Sequence, residues 1–202
     1  MIERVLQGYA AAAGDLIARF EEVSPDQLYA PVADLLPSAA SKIADIGAGT
    51  GRDAAWLAEQ GHDVVAVEPV DELRQAGMAL HKSQRIEWCN DRLPRLRDLG
   101  SRESSFDRVL LSAVWQHLDD EERCIALRTL ADLTAPGGML ILSLRHGPGA
   151  SSRPVYEARP KDTIRAARHA GFELIRERQA PSLQAANRAA GVRWTWLAFG
   201  LP

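Results

Sequence analysis

Residues 43–52 read Ile43-Ala44-Asp45-Ile46-Gly47-Ala48-Gly49-Thr50-Gly51-Arg52, and this stretch decides the fold. A short apolar strand runs into three glycines, and the chain then opens a helical segment that reaches Gln60 and stops at Gly61 as a C-cap. Glycines after a strand let the backbone turn sharply and approach a ligand with no side chain between. A dinucleotide fingerprint, G-x-G-x-x-G, would need glycine at position 52, where this chain has Arg52; the spacing here is G-x-G-x-G. Asp45 is awkward within the strand, because a buried carboxylate is costly to desolvate without partners. Amides of the glycine loop are one way to satisfy it.

The pattern repeats outward from there. Asp63–Glu68 is a valine-rich strand closed by Pro69, with Asp71 placed to cap a helix through Leu80. Arg85–Cys89 and Asp107–Ser112 read as further strands. Asp119 and Glu122 form a capping box before a helix with apolar Ile125, Leu127, Leu130 and Leu133. Pro136-Gly137-Gly138 is expected to end that helix, ahead of a fifth strand at Met139–Leu144. A helix at Lys161–Ala170 and strands at Phe172–Glu177 and Val192–Phe199 follow. Strands alternating with helices predict an α/β fold with a mostly parallel sheet, whose ligands bind beyond the carboxyl ends of the strands.

Composition narrows the class. The 202 residues suffice for one sizeable core, with 46% hydrophobic and 25% charged residues and a net charge of −3. A domain built to grip phosphate backbones runs basic, so nucleic acid is not the expected partner. Cys89 and Cys124 belong to no C-x-x-C pair, and no metal site is signalled. Neither a secretory signal pattern nor a membrane-length apolar run is seen, so the expectation is a cytoplasmic protein without membrane attachment.

Two further segments fall on the ligand edge. Glu68 ends the second strand, where a carboxylate can accept both hydroxyls of a ribose or simply be a solvated charge. Asn90-Asp91-Arg92-Leu93 follows the third strand; Asp91 can accept from an adenine amino group beside Leu93, or serve as a turn residue.

Together DIGAGTGR, AVEP, NDRL, FDRVLLSAVWQHL and LTAPGGMLILSL, in that order, resemble the class I S-adenosylmethionine-dependent methyltransferases, and more narrowly the bacterial group labelled type 11 or 12. The resemblance implies a Rossmann-like sheet of seven strands, mostly parallel with the last antiparallel, and helices on both faces. It implies one methyltransferase domain over 1–202, with 1–36 as a helical lid and 37–202 as the core. S-Adenosylmethionine would be the methyl donor and S-adenosylhomocysteine the product, with no metal. By position, Gly47, Gly49 and Gly51 would wrap the methionine part, Asp45 would shape that loop, Glu68 would bind the ribose and Asp91 the adenine. Ala48, Arg52, Pro69, Asn90, Arg92 and Leu93 would complete the cofactor surface. Ser112, Ala113 and Trp115 would lie beside the sulfonium, at the boundary with the acceptor.

Methyl transfer is an in-line displacement at an activated carbon, and positioning can supply up to about 7–11 kcal/mol. A base is needed only when the acceptor must lose a proton. His117 can deprotonate a hydroxyl or amine, or pack a helix start. Arg145 and His146 follow the fifth strand; Arg145 can clamp a carboxylate or phosphate, or form a surface salt bridge. The segment HGPGASSRPVYEARP (146–160) carries Arg153 and Tyr156 as acceptor contacts. Tyr9 and Phe20 stand on an Ala-rich N-terminal helix, which reads as a lid by resemblance or as ordinary packing.

The fourth strand is followed neither by an Asn/Asp/Ser-Pro-Pro-aromatic tetrapeptide nor by Pro-Cys. The expected partner is therefore a small-molecule methyl acceptor, modified on O, N or S by a monomer or homodimer. Alternatives are an RNA or peptide methyltransferase using Arg145, Arg153, Arg159, Lys161 and Arg165 as a positive face, and a non-catalytic binder of the same cofactor.

Overall fold

The computed structural model describes residues 2–99, 102 and 105–202. Seven strands form one sheet: β1 (Lys42–Ile46), β2 (Asp63–Val67), β3 (Ile86–Cys89), β4 (Phe106–Leu111), β5 (Thr134–His146), β6 (Glu173–Pro181) and β7 (Arg193–Gly200). Their order is β3-β2-β1-β4-β5-β7-β6. Strands β1 to β5 pair in parallel, and β7 runs antiparallel to both β5 and β6. This is the Rossmann-like arrangement expected, with six strands in one direction and the last reversed. Strand order turns between β1 and β4, which is where such a sheet leaves a crevice at its carboxyl edge.

Strand residues alternate between two apolar layers. Ala44, Ile46, Val109, Leu111, Leu140 and Leu142 join the layer that takes Leu127 and Leu130 of α5 (Asp120–Leu133) and Ala167 of α6 (Pro160–His169). Ile43, Val64, Ala66, Leu110 and Ile141 face the other way, onto Ala54 and Leu57 of α3 (Arg52–Glu59). Full burial of each Val, Leu or Ile stabilises by roughly 1.5–3 kcal/mol, so both layers hold the sheet between helices. The same alternation puts Asp45 on the α3 side, two residues beyond Ile43.

The remaining helices frame the carboxyl edge. α1 (Ile2–Glu21) packs against α4 (Asp71–Leu80) through Ala13, Val70 and Leu73 rather than against the sheet. α2 (Pro25–Tyr29), a 3-10 turn at Ala30–Leu35 and α7 (Ala185–Ala189) are too short to leave a periodic signal. The capping box on α5 forms as its sequence predicts, with Asp119 accepting from Glu122 N at 2.9 Å.

Two local readings change. Pro136-Gly137-Gly138 lies inside β5, not at the helix end, because Gly137 N donates to Leu201 O and Gly138 O accepts from Leu201 N. Asp71 is the first residue of α4 rather than its cap; its carboxylate pairs with Arg74 instead. Among the described residues, no helix is long and apolar enough to cross a membrane.

Candidate functional site

A cavity of about 780 Å³ opens at the carboxyl edge of the sheet. Its floor is the glycine loop after β1 and the ends of β2, β3, β4 and β5. Its roof is the apolar face of α1, including Leu6, Tyr9, Leu16 and Phe20.

The glycine loop is held tightly. Gly47 and Ala48 donate their N–H groups to Val67 O at 2.8 and 3.0 Å, locking the turn to the end of β2. Gly47 has φ +75°, and a Cβ there would stand 2.4 Å from Val114 Cγ2, so the position admits no side chain. Gly49 N donates to Glu68 Oε2 and Val70 N to Oε1, both at 2.8 Å. Glu68 is only 5% exposed, and burial raises its carboxyl to about 7 against the pull of those two N–H groups and Arg74. Arg74 fixes the same residue from behind, donating to Glu68 O at 2.8 Å.

Asp45 lies 2% exposed in the cavity wall, and its Oδ2 has no hydrogen-bond partner among the described residues. Burial first, then Asp53, push its carboxyl well above the usual range, with Arg52 opposing. Asp53 is itself satisfied: Arg52 Nε reaches its Oδ1 at 2.7 Å and the Tyr29 hydroxyl donates to Oδ2 at 3.1 Å. Arg52 also donates to Phe20 O at 2.7 Å, and Thr50 donates to Glu21, so the end of α1 is tied to the glycine loop. Asp91 spends its carboxylate on its own loop, accepting from Arg92 N at 2.7 Å, Asp98 N at 2.8 Å and Leu99 N at 3.1 Å.

On the β4 side, Ala113 holds φ +60°, a left-handed conformation costing about 1–2 kcal/mol in a residue with a Cβ, and donates to Ser143 Oγ at 2.9 Å. The turn that follows carries Gln116 and His117 to the cavity. His117 Nδ1 lies 3.1 Å from Pro154 O; a carbonyl can only accept, so Nδ1 carries the proton. Nε2 then accepts from the Tyr9 hydroxyl at 3.0 Å. Burial lowers His117 to about 4 and raises Tyr9 to about 12, so this pair is neutral at physiological pH.

Of the residues named from sequence, Asp45, Gly47, Ala48, Gly49, Arg52, Glu68, Pro69, Asp91, Arg92, Leu93, Ser112, Ala113, His117, Arg145, Tyr9, Phe20 and Arg153 line the cavity together. Five others lie elsewhere. Trp115 is 0% exposed and its ring fills the core beside Leu118, because the 3-10 turn at Trp115–His117 directs its apolar member inward. Gly51 is required by Trp88, which would stand 2.4 Å from an added Cβ. Asn90 is exposed outside the cavity. His146 turns to Thr195 Oγ1 at 2.8 Å. Tyr156 joins a backbone bridge, donating from its N to Gln116 O at 2.7 Å. Sequence reasoning missed Thr50, Asp53, Val114 and Gln116, all adjacent to quoted motif residues.

The chain matches the model of a family described as a methyltransferase domain, over residues 12–195, and it belongs to that family. An uncharacterised methyltransferase of Mycobacterium bovis is 32% identical over 128 residues, 63% of this chain; the chain spans about half the length of that relative, the match covering 49% of it. Among solved structures, the 1,6-didemethyltoxoflavin-N1-methyltransferase of Burkholderia thailandensis superposes with a TM-score of 0.78 at 20% identity, covering 98% of this chain and 88% of that one. A TehB-like methyltransferase of Corynebacterium glutamicum gives 0.66 at 20% identity, over 98% of each chain.

Proposed function

We propose that this chain transfers a methyl group from S-adenosylmethionine to a small-molecule acceptor held under α1. The observation that carries the reading is the acidic end of the cavity. Glu68 stands at the end of β2 with its carboxylate oriented by two backbone N–H groups, and Asp45 leaves one buried oxygen unpartnered. A ligand with ribose hydroxyls and a cationic amino-acid tail satisfies both groups, and Gly47 and Gly49 leave room for it. That is the donor set S-adenosylmethionine requires; when bound, it supplies a methyl carbon activated by an adjacent sulfonium.

The chain's own residues do the rest by position. The glycine loop and Glu68 orient the donor, with Asp91 and Leu93 on the adenine side. Helix α1 covers the site as a lid and excludes water. His117 Nε2 accepts from the Tyr9 hydroxyl on α1, so the base acts through that hydroxyl: the acceptor's proton passes to the Tyr9 oxygen as the Tyr9 proton passes to Nε2. His146 and Trp115 have no part in this arrangement, because neither reaches the cavity.

A small acceptor is supported by size: α1 lies over a cavity of about 780 Å³, a volume typical of small-molecule sites. The Burkholderia neighbour holds 1,6-didemethyltoxoflavin and S-adenosylhomocysteine together. The positive face needed for RNA is weak, since Arg159 pairs with Glu157 and Arg165 with Asp162. The test is incubation of the protein and labelled S-adenosylmethionine with a size-fractionated bacterial extract. Label transferred in the low-molecular-weight fraction is expected; label confined to RNA or protein would overturn the acceptor class.

A further inference from the structure

We infer that the β5 end of the cavity is a subsite for an anionic group, a carboxylate or a phosphate, on the acceptor; this rests on the methyltransferase reading above and refines its substrate class. Arg145 comes from the end of β5 and Arg153 from the loop that follows, and both line the cavity. Among the described residues their hydrogen bonds go only to neutral oxygens. Arg145 donates to Pro148 O at 2.7 Å and to Asn187 Oδ1 at 3.4 Å, and Arg153 to Gly8 O at 3.5 Å. Among the described residues neither forms an ion pair, whereas the largely buried Arg52, Arg74 and Arg123 each have a carboxylate. A half-buried guanidinium without a counter-ion is expensive to keep, and two near each other more so.

Both groups are also held in fixed orientations. Arg145 lies over the Trp194 ring at 5.5 Å and Arg153 over the Tyr9 ring at 5.0 Å. Stacking on a ring leaves the donor edge of a guanidinium free, and Nη1 of Arg145 and Nε and Nη2 of Arg153 have no acceptor among the described residues. The carboxylates lining the cavity, Asp45, Asp53, Glu68 and Asp91, all stand on the β1 to β3 side. The cavity is thus acidic where a cationic donor fits and basic where the acceptor fits. His117 senses both arginines, whose charges add to burial in keeping it neutral. An anion between the two guanidinium groups would lie within the same pocket as His117 and Tyr9, under the aromatic wall of Trp194.

The test is calorimetric titration of benzoate, phenyl phosphate and neutral benzamide into the protein, both free and saturated with S-adenosylhomocysteine. Wild type is compared with Arg145→Met, Arg153→Met and Arg145→Lys. Binding of benzoate or phenyl phosphate, weakened about tenfold or more by either Met substitution and less by Lys, is the expected result, with benzamide binding poorly. Which of the two anions binds tighter separates carboxylate from phosphate recognition. The subsite is overturned if wild type binds neither anion, if benzamide binds as tightly, or if neither Met substitution matters. It is equally overturned if folded Arg145→Met loses S-adenosylhomocysteine, since that guanidinium would then serve the cofactor. Wild type failing to bind S-adenosylhomocysteine contradicts the methyltransferase reading instead, and the titrations on free protein still decide the subsite.

Discussion

Glu68 and His117 show how single residues carry opposite electrostatic loads in one site. Burial raises Glu68 from 4.5 to about 7, so the folded state holds its proton more tightly than the unfolded chain does. The Glu68 contribution to stability is then fully present below about pH 4.5 and is lost as pH rises through 7, by an amount on the order of 3 kcal/mol. On the proposed reading, ionised Glu68 is nonetheless the form that accepts ribose hydroxyls. Two results follow for Glu68→Gln: chemical denaturation should show it gaining on wild type between pH 5 and pH 8, while its affinity for S-adenosylhomocysteine drops about tenfold or more. His117 has the reverse sign. Lowered from 6.5 to about 4, it favours folding above about pH 6.5, and that contribution is lost as pH falls toward 4. Its ring stays neutral throughout the neutral range, so the acidic limb of methyl transfer should lie near pH 7, from Glu68, and vanish in Glu68→Gln. Tyr9→Phe removes the hydroxyl that Nε2 accepts while keeping the ring under Arg153. A fall in kcat with little change in KM, read from initial rates, is expected; an unchanged kcat would remove the Tyr9–His117 pair from the chemistry.

At the scale of elements, α1 is the part that sequence left most open. Its Ala-rich composition reads equally as packing helix or lid, and the ties that hold it over the cavity are long-range: Arg52 to Phe20 O, Thr50 to Glu21, and Tyr9 to His117. Nothing local in residues 2–21 announces them. The glycine loop is the opposite case, because its backbone requirement is written in residue type, and β1, β2 and β4 are legible because strands inside the sheet must be largely apolar. Trp115 and Tyr156 were misplaced for one reason: both stand on the ligand edge in sequence, but only the turn geometry decides which side chain of a 3-10 turn or loop points inward. The latch is testable. Thr50→Val should raise amide exchange across residues 2–21 roughly fivefold, corresponding to about 1 kcal/mol, without changing protection of β1 or β4. Equal loosening of helix and strands would mean that Thr50 supports the core rather than the lid.

The whole molecule separates charge across one cavity, with a net charge of only −3 overall. Carboxylates gather at the ends of β1 to β3 and free guanidinium groups at β5, and the turn in strand order between β1 and β4 brings the two ends together. A ligand that bridges the glycine loop and α1 should stabilise the fold as a unit. At one hundred times its dissociation constant, S-adenosylhomocysteine adds about 2.7 kcal/mol, which for a chain of this size raises Tm by roughly 5–10 °C. The most direct measurement is calorimetric titration of S-adenosylmethionine and S-adenosylhomocysteine into wild type and Glu68→Ala, with NAD as the control nucleotide. Micromolar binding of both adenosyl ligands, weakened about tenfold or more in the variant, with no NAD binding, is the predicted result. Folded wild-type protein that ignores both ligands, or prefers NAD, would contradict the account at its centre.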